Sequence, residues 1–284
     1  MTMDAATYVK RVGKLPSLPT LYYELTRAVE NPNSSISMIG DVVRKDQSLA
    51  SRLLKLANSA YYSFPSEVET IEESLQLVGL REMRDMALAT CVIGSFKNLP
   101  AHLVNAPDFW RHSIACGVIS SLLAEKRNEP TPERFFVGGL LHDIGRLVMY
   151  LTAPAESKQI LSLCESEKNI CCKVETQILG FDHAELGAEL LTAWKIPPSL
   201  IDMVGHHHSP GLRTSTGDYM VVHYADFMAT ALEFGNSGET YLAPLSAEAA
   251  KRCSLDEGQI ESIVHETETR CDQLCAILTD TSAN

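Results

Sequence analysis

The sequence predicts an all-α protein of two helical lobes, and three observations predict it. Apolar residues recur at the three-to-four spacing of an amphipathic helix along nearly the whole chain. Helix start and stop signals bracket those runs, and no alternating stretch of strand length competes with them. Proline and glycine punctuation, together with a change of composition, divides the chain at NLPAHLVNAP, residues 98–107.

Taken in order, the elements follow from local chemistry. Asp46 is placed to cap a helix in which Leu53, Leu54, Leu56 and Ala57 face inward and Arg52 and Lys55 outward. Gly79 stops one helix, after Leu75 and Val78, before another starts at Arg81. A long helix begins near Pro107 and carries Ile114, Val118, Leu122 and Leu123. Thr131-Pro132-Glu133 reads as N-cap, Pro at the first helical position and acidic first turn, leading into a helix from Phe135 to Tyr150. Asp182–Glu185 and Ser254–Glu257 resemble capping boxes, the second opening a solvated helix to about Leu278. Trp110 and Trp194 are expected as packing anchors, and Asn58 and Ser59 as local capping groups.

Composition narrows the function classes. The 284 residues carry 24 basic and 36 acidic side chains, a net charge of −12. Residues 1–100 balance at 11 of each sign, so the excess and all nine histidines fall in residues 101–284. That surface repels phosphate backbones and argues against general nucleic-acid or anionic-membrane binding. No apolar run approaches the roughly 18 residues of a membrane span, and the start, MTMDAATYVKR, lacks a signal-peptide core. Eight cysteines without a CxxC pair fit reduced, packed thiols, so a cytoplasmic location is expected.

The chemistry concentrates in histidine and aspartate. His142-Asp143 interrupts the apolar run GGLLHDIGRLVMY, where an ionised carboxylate is costly unless paired or bound to metal. His112 lies one helix earlier, in FWRHS, with Asp108 four residues before it. His183 opens a later helix, His206, His207 and His208 close the next, and His223 and Asp226 sit three apart in VVHYADF. Neutral imidazole and carboxylate are the usual ligands of Zn, Fe, Mn or Ni. A helical bundle can gather them from several elements. His206 is expected to point elsewhere, because three consecutive helical residues cannot face one site. His102 and His265 are expected to be solvated.

HDIGRL with its flanking histidine segments resembles the HD superfamily of metal-dependent phosphohydrolases, whose His, His-Asp, Asp pattern maps onto His112, His142, Asp143 and Asp226. The N-terminal segments LPSLPTLYYELTRAVENPNSSIS, VVRKDQSLASRLLKLANSAYY and ESLQLVGLREMRDMAL are similar to the HDOD family, the HD-related output domain, over roughly residues 11–235. The resemblance implies a two-lobed HDOD fold, a bacterial signal-transduction role and a signalling protein partner. Similarity to the HD-GYP cyclic-di-GMP phosphodiesterases adds His183, His207 and His208 to the ligand set and places Asp108 near it. Arg146 stands where those proteins carry Lys, and SPGLRTSTGD where they carry Gly-Tyr-Pro.

The implied organisation is an N-terminal lobe at 1–100, an HD-like lobe with the metal site at 101–236 and a C-terminal helical extension at 237–284. The implied site is a divalent, dinuclear metal centre held by His112, His142, Asp143, His183, His207, His208 and Asp226. Asp143 would bridge the ions and act with Arg146 in catalysis, and His223 would orient Asp226. Three functions follow from it: a signalling module that keeps the metal, a phosphohydrolase acting on a nucleotide or cyclic dinucleotide, and a di-iron oxygenase.

Overall fold

A computed structural model describes residues 3–13, 15–96, 98–209 and 217–280. Among the described residues every regular element is an α-helix. In chain order these are α1 (Ala5–Arg11), α2 (Thr20–Glu30), α3 (Ile36–Val43), α4 (Gln47–Ala57), α5 (Ile71–Leu77) and α6 (Leu80–Ser95). There follow α7 (Ala106–Lys126), α8 (Glu133–Leu141), α9 (Ile144–Thr152), α10 (Pro154–Glu167), α11 (Cys171–Leu179) and α12 (His183–Ala193). The last are α13 (Pro198–His206), α14 (Tyr219–Ala231), α15 (Ala247–Arg252) and α16 (Glu257–Leu278). No described helix is long and apolar enough to cross a membrane.

The chain forms two compact units. One comprises Ser17–Lys97 and His265–Asn284. Asp46 caps its α4 by accepting from Leu49 N at 3.0 Å, and Leu25, Ile39, Leu53, Leu56, Leu75 and Met83 fill its core. Asn58 is a local group here: its side-chain amide donates to Val68 O at 2.8 Å while its oxygen accepts from Val68 N at 2.8 Å. Arg52 departs from the expected outward position. It is buried, because its guanidinium donates to the Asp280 carbonyl at 2.7 Å, supplied by the far end of the chain.

The other unit comprises Met1–Pro16 and Asn98–Val264. Its N-terminal stretch is docked within it: the Tyr8 hydroxyl bonds Thr152 Oγ1 at 2.8 Å, and Trp194 Nε1 donates to Pro16 O at 3.0 Å. The centre is the pair α7 and α8, buried along most of their lengths. Gly139 on α8 permits their approach, since a Cβ there would lie 2.7 Å from the Cys116 carbonyl oxygen of α7. Asp182 and Glu185 form the expected capping box on α12.

Three local expectations are corrected. The helix expected from Phe135 to Tyr150 is two helices, α8 and α9, broken at His142-Asp143. Asp143 sits at φ −94°, ψ 9°, and the Arg146 N–H turns to the Asp143 carbonyl at 2.9 Å, three residues back. The apolar pattern runs unbroken through this corner because both helices are buried. Second, α8 starts at Glu133 with Pro132, not Thr131, at the cap position. Third, the box before α16 is Asp256 with Gln259: each backbone N–H donates to the other's side chain, at 3.0 and 2.8 Å. Asp256 stands immediately before the helix, whereas Ser254 lies two residues too early.

Candidate metal centre

The α8–α9 corner fixes the heart of the site. His142 leaves the end of α8 and Asp143 stands just before α9 without capping it, so both side chains are free to meet in one donor group. Gly145 allows α9 to press on α12: a Cβ there would lie 2.0 Å from the His183 carbonyl oxygen. That contact sets His183, at the first position of α12, against Asp143. The Nε2–Oδ1 distance is 3.0 Å. His112 arrives from α7 and Asp226 from α14, with His112 Nε2 3.2 Å from Asp226 Oδ1 and 3.8 Å from Asp143 Oδ2. His142 Nε2 lies 3.2 Å from Asp143 Oδ2 and 3.5 Å from Asp226 Oδ1. His207 and His208 follow the end of α13, and His208 Nε2 stands 2.8 Å from His183 Nε2.

All seven candidate ligands therefore meet. They form two donor groups, Asp143 with His183, His207 and His208, and Asp143 with His112 and His142. Asp143 is common to both. Asp226 lies against the second group and opens to a narrow cleft lined also by Asp143, Arg146, His208 and Glu239.

The ring nitrogens are oriented as metal ligands require. Nδ1 of His142 bonds Gly139 O at 2.6 Å, Nδ1 of His207 bonds Val204 O at 2.7 Å, and Nδ1 of His183 bonds Glu175 Oε2 at 2.6 Å. Each Nδ1 spent in this way turns Nε2 inward. The buried Nε2 atom of His207 has no hydrogen-bond partner. A neutral imidazole nitrogen without a partner, buried beside these carboxylates and imidazoles, fits a cation.

Electrostatics agrees. Burial alone would raise the Asp143 carboxyl, but Arg146, His142 and His183 hold it well below the usual carboxylate range. Burial likewise opposes ionisation of Asp226, and hydrogen bonds from His112 and His142 overcome it and hold its carboxyl low. Burial and Arg146 work against protonation of His183, yet Glu175 and Asp143 lift it to about 9. His142 is raised too: burial opposes it most strongly, but Asp143, Cys116 and Asp226 together outweigh burial. His207 and His208 are pushed well below their ordinary value by desolvation and by neighbouring imidazoles, which keeps them neutral donors. The centre attracts positive charge: its carboxylates stay ionised and draw protons onto His142 and His183, while His207 and His208 stay neutral.

Other residues fall outside. Asp108 is exposed, and His102 and His265 are exposed. His206 turns to Asp202. His223 does not orient Asp226: its Nδ1 bonds the His207 carbonyl at 2.7 Å, and its Nε2 accepts from Ser246 N at 3.1 Å. Most of SPGLRTSTGD lies outside the described residues. Arg146, 2% exposed, is held between Asp143 Oδ1 at 3.1 Å and Glu239 Oε2 at 3.0 Å.

Comparison with known proteins places this geometry. The HDOD domain profile matches residues 15–210. The chain belongs to the HDOD family. An uncharacterized protein of Treponema pallidum (strain Nichols) is 29% identical over 210 residues, 73% of this chain and 40% of that protein, so the chain spans less than half of its relative's length. An HDOD domain protein of unknown function from Geobacter sulfurreducens superposes with a TM-score of 0.76 at 24% identity, covering 97% of this chain and 96% of that one. A protein of Shewanella amazonensis SB2B, named provisionally as a phosphohydrolase, superposes with a TM-score of 0.75 at 26% identity, covering 95% and 98%.

Two contacts of this HDOD chain lie outside the expected set of site residues. Glu175 is buried behind His183, binding both its ring and its backbone N–H at 2.9 Å. The spacing of Cys171, Val174, Glu175 and Ile178 puts that carboxylate on the apolar face of α11, which is a legible signal. Glu239 lies in the loop after α14, where no periodicity marks it.

Proposed function

We propose that this chain is a bacterial HDOD signal-transduction module that holds a dinuclear divalent metal centre in its HD unit. The observation that carries the reading is the sharing of Asp143 between two buried donor groups. His112, His142 and Asp226 would hold one ion, His183, His207 and His208 the other, with Asp143 between them. The mixture of imidazole and carboxylate suits Fe, Mn, Zn or Ni over Mg or Ca. The free, mostly buried cysteines and the acidic surface support a cytoplasmic setting and a protein partner over a membrane or general nucleic acid.

A second reading, an active phosphohydrolase, is favoured by the cleft that reaches Asp143 and Asp226 from solvent and by the provisional name of the Shewanella protein. Divalent ions bound here supply Lewis acidity and charge neutralisation for attack at phosphorus. The chain's own residues do the positioning. Glu175 holds the His183 ring, Arg146 fixes Oδ1 of Asp143, and the Arg146 guanidinium would take a phosphoryl oxygen of a nucleotide or cyclic dinucleotide.

The test is metal analysis of wild type, His142→Ala and Asp143→Ala, with a hydrolysis screen over cyclic dinucleotides, nucleotides and a generic phosphodiester. Metal in wild type and its loss in both variants support the centre. Turnover that disappears with the metal promotes the enzyme over the module. A wild type that takes up no metal overturns both.

A further inference from the structure

Arg146 already has an anion in place on its cleft side. One of its terminal nitrogens is 3.0 Å from Glu239 Oε2. Glu239 is not part of a helix; it sits in the segment GNSGET between α14 and α15. That segment is pinned from several sides. The Tyr150 hydroxyl donates to Ser237 O at 3.0 Å, Asn236 N donates to Asp108 O at 3.1 Å, and Cys171 N donates to both carboxylate oxygens of Glu239 at 3.2 Å. The Glu239 side chain is nevertheless 13% exposed, against 3% for Arg146, and both line the cleft over Asp143 and Asp226.

A nearly buried guanidinium thus keeps its Nε on the candidate bridging carboxylate and a terminal nitrogen on a carboxylate that solvent can reach. Charge decides what can exchange. Asp143 is enclosed at the centre, whereas Glu239 is carried on a loop and meets the open side. A phosphoryl oxygen entering the cleft carries the same sign and a comparable hydrogen-bonding geometry, and it meets the guanidinium where Glu239 now sits. We propose that Glu239 is a resident stand-in anion on Arg146, and that a phosphoryl-bearing ligand binds this cleft by displacing it. This rests on the reading of the cleft as the ligand side of the centre. It adds a regulatory element: the strap of residues 235–240 holds the anion subsite closed until a ligand competes.

The test is titration of inorganic phosphate, and separately of a nucleoside monophosphate, into wild type, Glu239→Gln and Glu239→Gln/Arg146→Gln. Each is run metal-stripped and Mn²⁺-incubated, with metal content measured independently, so that failure of the metal centre is read apart from failure of the displacement. Glu239→Gln keeps the shape and removes the charge. It is expected to bind at least one of the two probes about tenfold tighter than wild type, as removal of a competing charged partner implies, and the added Arg146→Gln is expected to abolish the gain. A folded Glu239→Gln with unchanged affinity for both probes, or a gain that survives loss of Arg146, overturns the proposal. Wild-type protein supplies a second measurement. A saturating probe is expected to speed hydrogen exchange at the Cys171 amide, which Glu239 now accepts from, and unchanged exchange with the probe bound overturns it.

Discussion

At the scale of single residues, the candidate site is built from polar groups placed where an apolar side chain would be expected. That is why most of it is legible in the sequence. His112, His142, Asp143, His183 and His207 occupy buried positions, and a titratable group in an apolar helical run demands a partner. Glu175 shows where such reading stops short. Its place on the apolar face of α11 is legible, but its partner is not, and only the packing of α11 behind His183 reveals its task. Because Glu175 fixes the His183 ring, Glu175→Gln is expected to weaken metal affinity about ten- to hundredfold, read by competition with a chelator. Unchanged affinity would show that the ring is held by packing alone. Arg52 was equally hidden, since its partner, the Asp280 carbonyl, is 228 residues away. Tyr22 makes a separate point about pH. Burial raises its phenol from an ordinary value near 10 to about 12. The neutral form is therefore favoured by folding, and that contribution is complete below pH 10 and lost as pH rises through 12. Tyr22→Phe is expected to remove this share of the alkaline loss between pH 10 and 12, measured by urea melts. Parallel curves for both proteins would contradict it.

At the scale of elements, caps were readable and corners were not. Asp46 and the Asp182–Glu185 box use side chains next to the backbone they satisfy, so sequence alone locates them. The break between α8 and α9 leaves no such mark, because hydrophobic periodicity continues through it. What signals it is chemical: the break falls at the two polar residues of GGLLHDIGRLVMY, and it lets both face the centre. Gly145 then sets the distance from α9 to α12. Gly145→Ala places a methyl 2.0 Å from the His183 carbonyl oxygen, where backbone cannot yield cheaply. Overpacking of this kind costs about 1–3 kcal/mol. The variant is expected to lose stability in that range in urea unfolding and to bind metal more weakly, since His183 moves with α12. Wild-type stability and metal content together would refute the role given to this contact.

At the scale of the whole molecule, the grouping of segments depends on contacts distant in sequence. Residues 265–284 group with Ser17–Lys97. Their Cys271, Leu274 and Leu278 are buried, Gln273 Oε1 accepts from Ala60 N at 2.8 Å, and the Asp280 carbonyl receives Arg52. The acidic character of this helix suggested a solvated face only, because its inward residues are sparse and two of the contacts are backbone groups. Truncation before His265 is expected to cost at least about 3 kcal/mol, the worth of two buried leucines. A truncated chain that melts like the full one would show this segment to be dispensable. The charge of −12 also reads differently at this scale. Part of it, Asp143 and Asp226, is gathered among the histidines of the candidate metal centre, where formal counting records only negative charge.

The central claim is that this HDOD chain holds divalent metal on two donor groups joined by Asp143. Its most direct test is metal stoichiometry by mass spectrometry after reconstitution with Fe, Mn, Zn or Ni, in wild type and Asp143→Ala. The account predicts about two ions per chain in wild type and loss of both in the variant, because both groups share that carboxylate. Wild-type protein that stays metal-free with all four metals, or an Asp143→Ala protein that retains a full complement, would contradict it.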